Sequence, residues 1–146
     1  QLFFDNALYY DFVDRARAIG VQVPIVPGIM PITNYRQLAR MTTMCGASIP
    51  DPVLGELEAR SDDDEATAEF GVTYATMQCA DLLANGAPGI HFYTLNRSTA
   101  TRAILSALRS VLRSASAKRG LASCGNPVRA KLPERRPRAA ACRRRL

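Results

Sequence analysis

The sequence predicts an α/β fold in which short parallel strands alternate with helices. Three observations carry that prediction: amphipathic helical patterns over residues 6–19, 34–46 and 62–86, short apolar or β-branched runs between them, and proline or glycine at the junctions. The order is strand, helix, strand, several helices, strand, helix. Such alternation requires crossover connections, which pair the strands in parallel. Three strands neither close a barrel nor complete a doubly wound sheet, so their open edges need further partners.

Residues 1–4 are expected to be the end of a strand, and Asp5 can cap the helix after it. From Asn6 to Ile19 the apolar positions Leu8, Phe12, Ala16 and Ile19 are spaced for one helical face, with Asp11, Asp14, Arg15 and Arg17 on the others. Gly20 suits the left-handed conformation common after a helix end. Val21 to Val26 reads as the second strand, closed by Pro27-Gly28, and the proline-bound stretch Ile29-Met30-Pro31-Ile32 as a loop at its carboxyl end. Asn34 with Gln37 has capping-box spacing for a helix through Leu38, Met41 and Met44 to Gly46. Ile49-Pro50 breaks it, and a short helix fits Pro52 to Ala59. The run Asp62-Asp63-Asp64-Glu65 is read as complementing the dipole at a helix start rather than as a cation site. The helix it opens carries Ala68, Val72, Ala75, Cys79 and Leu82 along one side, and ends near Asn85-Gly86.

The stretch Gly89 to Arg97 is the chemical centre of the chain. Ile90 to Leu95 reads as a buried strand, and Ser98 as the N-cap of a helix bearing Ile104, Leu105, Leu108, Val111 and Leu112. Tyr93, Thr94, Asn96 and Arg97 therefore fall at the carboxyl end of a strand, where parallel α/β folds place ligand chemistry. His91 shares a strand face with Tyr93 and is expected to be a packed, hydrogen-bonded core histidine.

At 146 residues the chain accommodates one domain with one core. Its formal charge of +6 is unevenly divided: residues 1–113 sum to −3 and residues 114–146 to +9. A basic surface dedicated to nucleic acid is therefore not expected of the body, and nucleic acid is not an expected partner. From Ser114 onward there are no aromatics and the arginine runs repel one another, so residues 114–146 are expected to form a disordered basic tail beside a folded unit spanning 1–113. Cys45, Cys79, Cys124 and Cys142 lack Cys-x-x-Cys spacing, and only His91 could join them on a metal, so neither zinc nor a disulfide framework is expected. Free thiols point to a cytoplasmic location. The long uncharged run from Ala18 to Tyr35 is broken by Pro24, Pro27 and Pro31, which argues against a membrane span, and no signal peptide is evident.

Gln1-Leu2-Phe3-Phe4-Asp5, the loop Pro24 to Ile32, Ile49-Pro50 and the heptapeptide His91 to Arg97 resemble methylenetetrahydrofolate reductases, in the same order and over about residues 1–112. The resemblance implies an eight-stranded (β/α) barrel of which this chain holds the last three βα units. It also implies the activity: FAD passes a hydride from NADH or NADPH to 5,10-methylenetetrahydrofolate, forming 5-methyltetrahydrofolate in one-carbon metabolism. By the same resemblance Gln1, Tyr93 and Arg97 match the family's substrate-contacting glutamine, tyrosine and arginine, and Met41 stands where some members present a phenylalanine. Their chemistry is suitable. An amide at Gln1 can pair with a pterin edge, Tyr93 offers a flat face with a hydroxyl, and Arg97 can hold a glutamate carboxylate in a two-pronged bond.

The flavin-binding residues and the acid associated with substrate protonation match no position in this sequence, so no catalytic, cofactor-binding or metal-binding residue is assigned. Expected partners are a folate, a nicotinamide nucleotide, the upstream half of the barrel and a second copy in a homo-oligomer. The rival readings are a catalytically inactive truncated or misassembled gene product, and a module that binds polyanions through its tail.

Overall fold

The computed structural model describes residues 2–96 and 98–122. It is a mostly helical α/β arrangement: α1 (Asn6–Ala18), β1 (Gly28–Ile29), α2 (Tyr35–Cys45), α3 (Asp51–Glu58), α4 (Asp64–Ala84), β2 (His91–Phe92) and α5 (Thr99–Ala122). β1 pairs in parallel with β2, Gly28 opposite His91 and Ile29 opposite Phe92. At its other edge Gly28 forms a parallel bridge with Leu2. The expected parallel order is present in reduced form, as two short strands and one bridge.

The strand expected over Val21 to Val26 is not formed. Pro24 and Pro27 have no N–H to give a neighbour, and side chains of α1 take the carbonyls instead. Arg17 Nη1 donates to Val21 O at 2.5 Å and to Val23 O at 3.1 Å, and the Tyr9 hydroxyl donates to Ile25 O at 2.8 Å. Pairing begins later, at Pro27-Gly28 and on into the stretch expected to be loop, where His91 N donates to Pro27 O and Tyr93 N to Ile29 O, both at 2.9 Å.

Helix starts obey their local signals. An Asp5 carboxylate oxygen accepts from Ala7 N, and the Asn34 side chain accepts from Gln37 N at 2.8 Å. Asp63 accepts from both Glu65 N and Ala66 N, which gives the acidic run a structural use at the start of α4. α2 ends on Gly46 in the left-handed conformation, φ 63°. α5 runs through Ala122, beyond the end expected near Arg113 and into the segment expected to be disordered. Alanines at 115, 117 and 122, with no β-branched residue between Val111 and Ala122, favour that continuation. The tail after Ala122 lies outside the described residues.

Alternating strand residues feed two apolar clusters. Phe3 and Ile29 join Tyr9, Ala75, Cys79, Leu82, Ile104 and Leu108, while Phe4 and Met30 join Ile32, Leu38, Val53 and Leu57. α4 packs on α5 and on α1. It also approaches the loop after β1 so closely that a Cβ on Gly71 would lie 1.9 Å from Ile32 O. The Tyr74 hydroxyl and Gln78 Nε2, both from α4, donate to the carbonyls of Phe4 and Phe3 and so fix the first extended segment.

α1 departs from its expected orientation. Ala16 is buried as predicted, but Tyr9 is the other buried position, and Leu8, Phe12 and Ile19 are 50%, 59% and 82% exposed. The apolar spacing marks one side of the helix but carries no information on what covers it.

Candidate functional site at the carboxyl end of the parallel pair

β2 stops after Phe92 because the chain turns. Leu95 (φ 47°) and Asn96 (φ 61°) both adopt left-handed backbone. Asn tolerates this conformation, whereas leucine there costs roughly 1–2 kcal/mol. The turn leaves Tyr93, Thr94 and Leu95 facing the loop between β1 and α2. Together with Pro31, Asn34 and Gln37 they line a crevice of about 30 Å³, which Met30, Ile32 and Leu38 floor. On its own this space holds about one or two water molecules. It lies where parallel α/β folds collect ligand groups, just beyond the carboxyl ends of the strands.

Tyr93 is its most developed feature. The side chain is 37% exposed, and its ring meets the ring of His91 edge-on, with centroids 5.2 Å apart and an interplanar angle of 80°. His91 and Tyr93 therefore share a side of β2, as expected. The expectation of a packed core histidine is corrected: His91 is exposed, because β2 is an edge strand among the described residues. Across β1 the Tyr93 ring lies against Gly28, where an added Cβ would fall 2.6 Å from Cε2 and 2.8 Å from the hydroxyl.

Of the other residues matched to the family's substrate contacts, Met41 is half-buried against the second apolar cluster and does not line the crevice. Gln1 and Arg97 lie outside the described residues. Sequence reasoning missed Gln37 as a wall residue, since its side chain was valued only for capping-box spacing. Its position one turn into α2, on an exposed face beside a strand end, is the signal that marks it.

A larger apolar groove, about 460 Å³, opens between α1 and the segment before β1, with walls that include Leu2, Leu8, Phe12, Ile25 and Val26. Its volume falls in the range of ligand pockets, but it lacks the convergent polar groups that orient a ligand. The polar cluster around Asp81 lies elsewhere, at the junction of α1 and α4. Hydrogen bonds from Asn6, Tyr10 and Asn85 hold that carboxyl below its usual range. Burial, and then the bond to Asp81, raise the Tyr10 hydroxyl. Burial pushes the Cys79 thiol up to about 11. Among the described residues no group of three or more His, Cys, Asp or Glu is placed to hold a metal, and no helix is long and apolar enough to cross a membrane.

Residues 1–109 match the family model described as methylenetetrahydrofolate reductase. The chain belongs to the methylenetetrahydrofolate reductase family. It is 45% identical over 96 residues to methylenetetrahydrofolate reductase (NADH) 1 of Arabidopsis thaliana, covering 66% of this chain and 16% of the plant protein. It is 41% identical over 109 residues to a probable methylenetetrahydrofolate reductase (NADPH) of Caenorhabditis elegans, 74% of this chain and 16% of the nematode protein. The 5,10-methylenetetrahydrofolate reductase of Pectobacterium carotovorum is 36% identical over 104 residues, 71% of this chain and 35% of the bacterial protein. The chain thus spans about a sixth of the length of the plant and nematode reductases. The matched region ends within α5, so the family relationship covers both strands and the crevice beyond their carboxyl ends.

Proposed function

We propose that this chain supplies the closing part of a methylenetetrahydrofolate reductase barrel, and that its crevice forms part of the folate-binding mouth. In this reading the complete protein reduces 5,10-methylenetetrahydrofolate to 5-methyltetrahydrofolate with NADH or NADPH, using FAD. The observation that carries it is the coincidence of the family match with Tyr93 at a strand's carboxyl end, beside Gln37 and below a left-handed turn. Tyr93 offers a pterin or benzoyl ring a flat partner and a hydroxyl, and Gln37 an amide able both to donate and to accept. Gln1 and Arg97 complete the set as the amide for the pterin and the cation for the glutamate tail. Met41 supports the wall from behind, as an apolar side chain in place of a ring.

The described residues do not fit a flavin. The crevice alone encloses neither an isoalloxazine nor a pterin ring, and the groove beside α1, the roomier of the two, has apolar walls with few donors for the flavin's nitrogens and oxygens. In this proposal FAD is therefore held by barrel units outside these residues, and no step is assigned to it here. Those units also cover the exposed apolar side of α1, at Leu8 and Phe12. Cytoplasmic residence accompanies this function.

A chimera tests the proposal. Residues 1–109 replace the matching segment of the Pectobacterium reductase, and folate-dependent oxidation of the nicotinamide nucleotide is measured. Activity with bound flavin supports the reading. A soluble, flavin-loaded chimera with no folate turnover favours the inactive gene product.

A further inference from the structure

Gly28 occupies the middle position of the parallel arrangement, bridged to Leu2 on one edge and paired with His91 on the other. Its backbone φ is not positive, so conformational freedom does not explain a glycine here. Space does. A Cβ at this position would lie 2.6 Å from Tyr93 Cε2, 2.8 Å from its hydroxyl oxygen and 3.0 Å from Cζ, all closer than carbon and oxygen atoms approach without displacement. The Tyr93 ring reaches from β2 across β1 and rests on the bare Cα of Gly28, with the His91 ring against it edge-on.

We propose that Gly28 is a positioning residue that seats the Tyr93 ring for folate, acting on the ligand only through that ring. The inference rests on the reading of Tyr93 as a folate contact. The three nearest atoms that a methyl at 28 would meet all belong to the far end of one side chain. Tyr93 is partly exposed and has two rotatable bonds, so the ring swings away while the strands stay paired. The contrast is Gly71, where the obstruction is the Ile32 backbone and the fold itself must give. Gly28 thus trades side-chain packing for a defined aromatic orientation at the mouth of the crevice.

The test uses the full 146-residue chain with 13C-labelled tyrosine, in wild type, Gly28→Ala, Tyr93→Ala and the double variant. In Gly28→Ala the Tyr93 ring signals, assigned by their loss in Tyr93→Ala, move, while the other tyrosines and the unfolding midpoint stay in place. In the Pectobacterium chimera, where the rest of the barrel is present, binding of 5-methyltetrahydrofolate weakens about tenfold with Gly28→Ala, corresponding to the removal of one oriented contact. In the Tyr93→Ala background the same substitution causes no further loss. Unmoved Tyr93 signals, or a full additional loss in the double variant, overturn the proposal. Absence of 5-methyltetrahydrofolate binding by the flavin-loaded chimera without these substitutions instead sinks the folate reading of Tyr93, and with it Gly28's role toward folate, while the ring signals separately report whether the seat exists.

Discussion

The side-chain amide of Asn6 donates to a carboxylate oxygen of Asp81 at 2.7 Å, joining the first turn of α1 to the last turn of α4 across 75 residues of sequence. The Tyr10 hydroxyl donates to the same oxygen at 2.7 Å, and Asn85 Nδ2 to the other at 3.0 Å. A carboxylate at a helix carboxyl end opposes the macrodipole. Three donors offset that cost and make Asp81 a clamp between the two helices.

Acid should therefore weaken this clamp selectively. The folded-state pKa of Asp81 is lowered, first by Asn6 and then by Tyr10. A depressed carboxylate stabilises the fold above its unfolded-state value, and that contribution disappears as the pH falls through the folded-state value. Asp81→Ala is expected to lower stability by about 1 kcal/mol at neutral pH. The difference from wild type should shrink below about pH 4. Urea titrations of both proteins across that range check it.

Gly71→Ala is expected to be far more damaging than an alanine in a helix normally is. The added carbon meets Ile32 O at 1.9 Å and the Ile32 carbonyl carbon at 2.7 Å. Separating α4 from the loop after β1 should cost about 2–4 kcal/mol, outweighing the gain in helix propensity. The unfolding midpoint of the variant reads this directly.

Asn34 acts at two ends. Its oxygen caps α2 through Gln37 N at 2.8 Å, and its amide donates to Asp64 at 2.6 Å, linking the starts of α2 and α4. Asn34→Ala should lose about 1 kcal/mol, whereas Asn34→Asp keeps the cap but places two carboxylates together. The cap together with repulsion from Asp64 therefore predicts rescue by aspartate at low pH and not at neutral pH, measured by thermal unfolding.

The free thiols Cys45 and Cys79 should differ in reactivity. Cys45 is exposed, while Cys79 is buried with its pKa raised to about 11. At about pH 8 an alkylating reagent is expected to modify Cys45 and leave Cys79 until the chain unfolds, as mapped by mass spectrometry of the peptides.

The helices were legible because their signals are local. Asp5, Asn34, Asp63 and Gly46 each satisfy backbone groups within a few residues, so sequence spacing alone locates these ends. The strands were less legible. Whether Val21 to Val26 pairs depends on competition for its carbonyls from Arg17 and Tyr9, which lie nearby in sequence but whose bonds no helix or strand periodicity reports. The exposed side of α1 was misread for a related reason: periodicity reports that Leu8 and Phe12 are apolar, not which element covers them. At the site, Tyr93 was accessible from its place at a strand end. Gln37 and the seat at Gly28 emerge only once two chain segments are brought side by side.

Contact between Tyr93 and the folate is read from kcat/KM for 5,10-methylenetetrahydrofolate in the bacterial chimera carrying Tyr93→Leu. If Tyr93 contacts the folate, the value falls about tenfold or more, with helix content and flavin loading unchanged. Full retention of kcat/KM in a folded, flavin-loaded variant would contradict the placement of the folate site at this crevice.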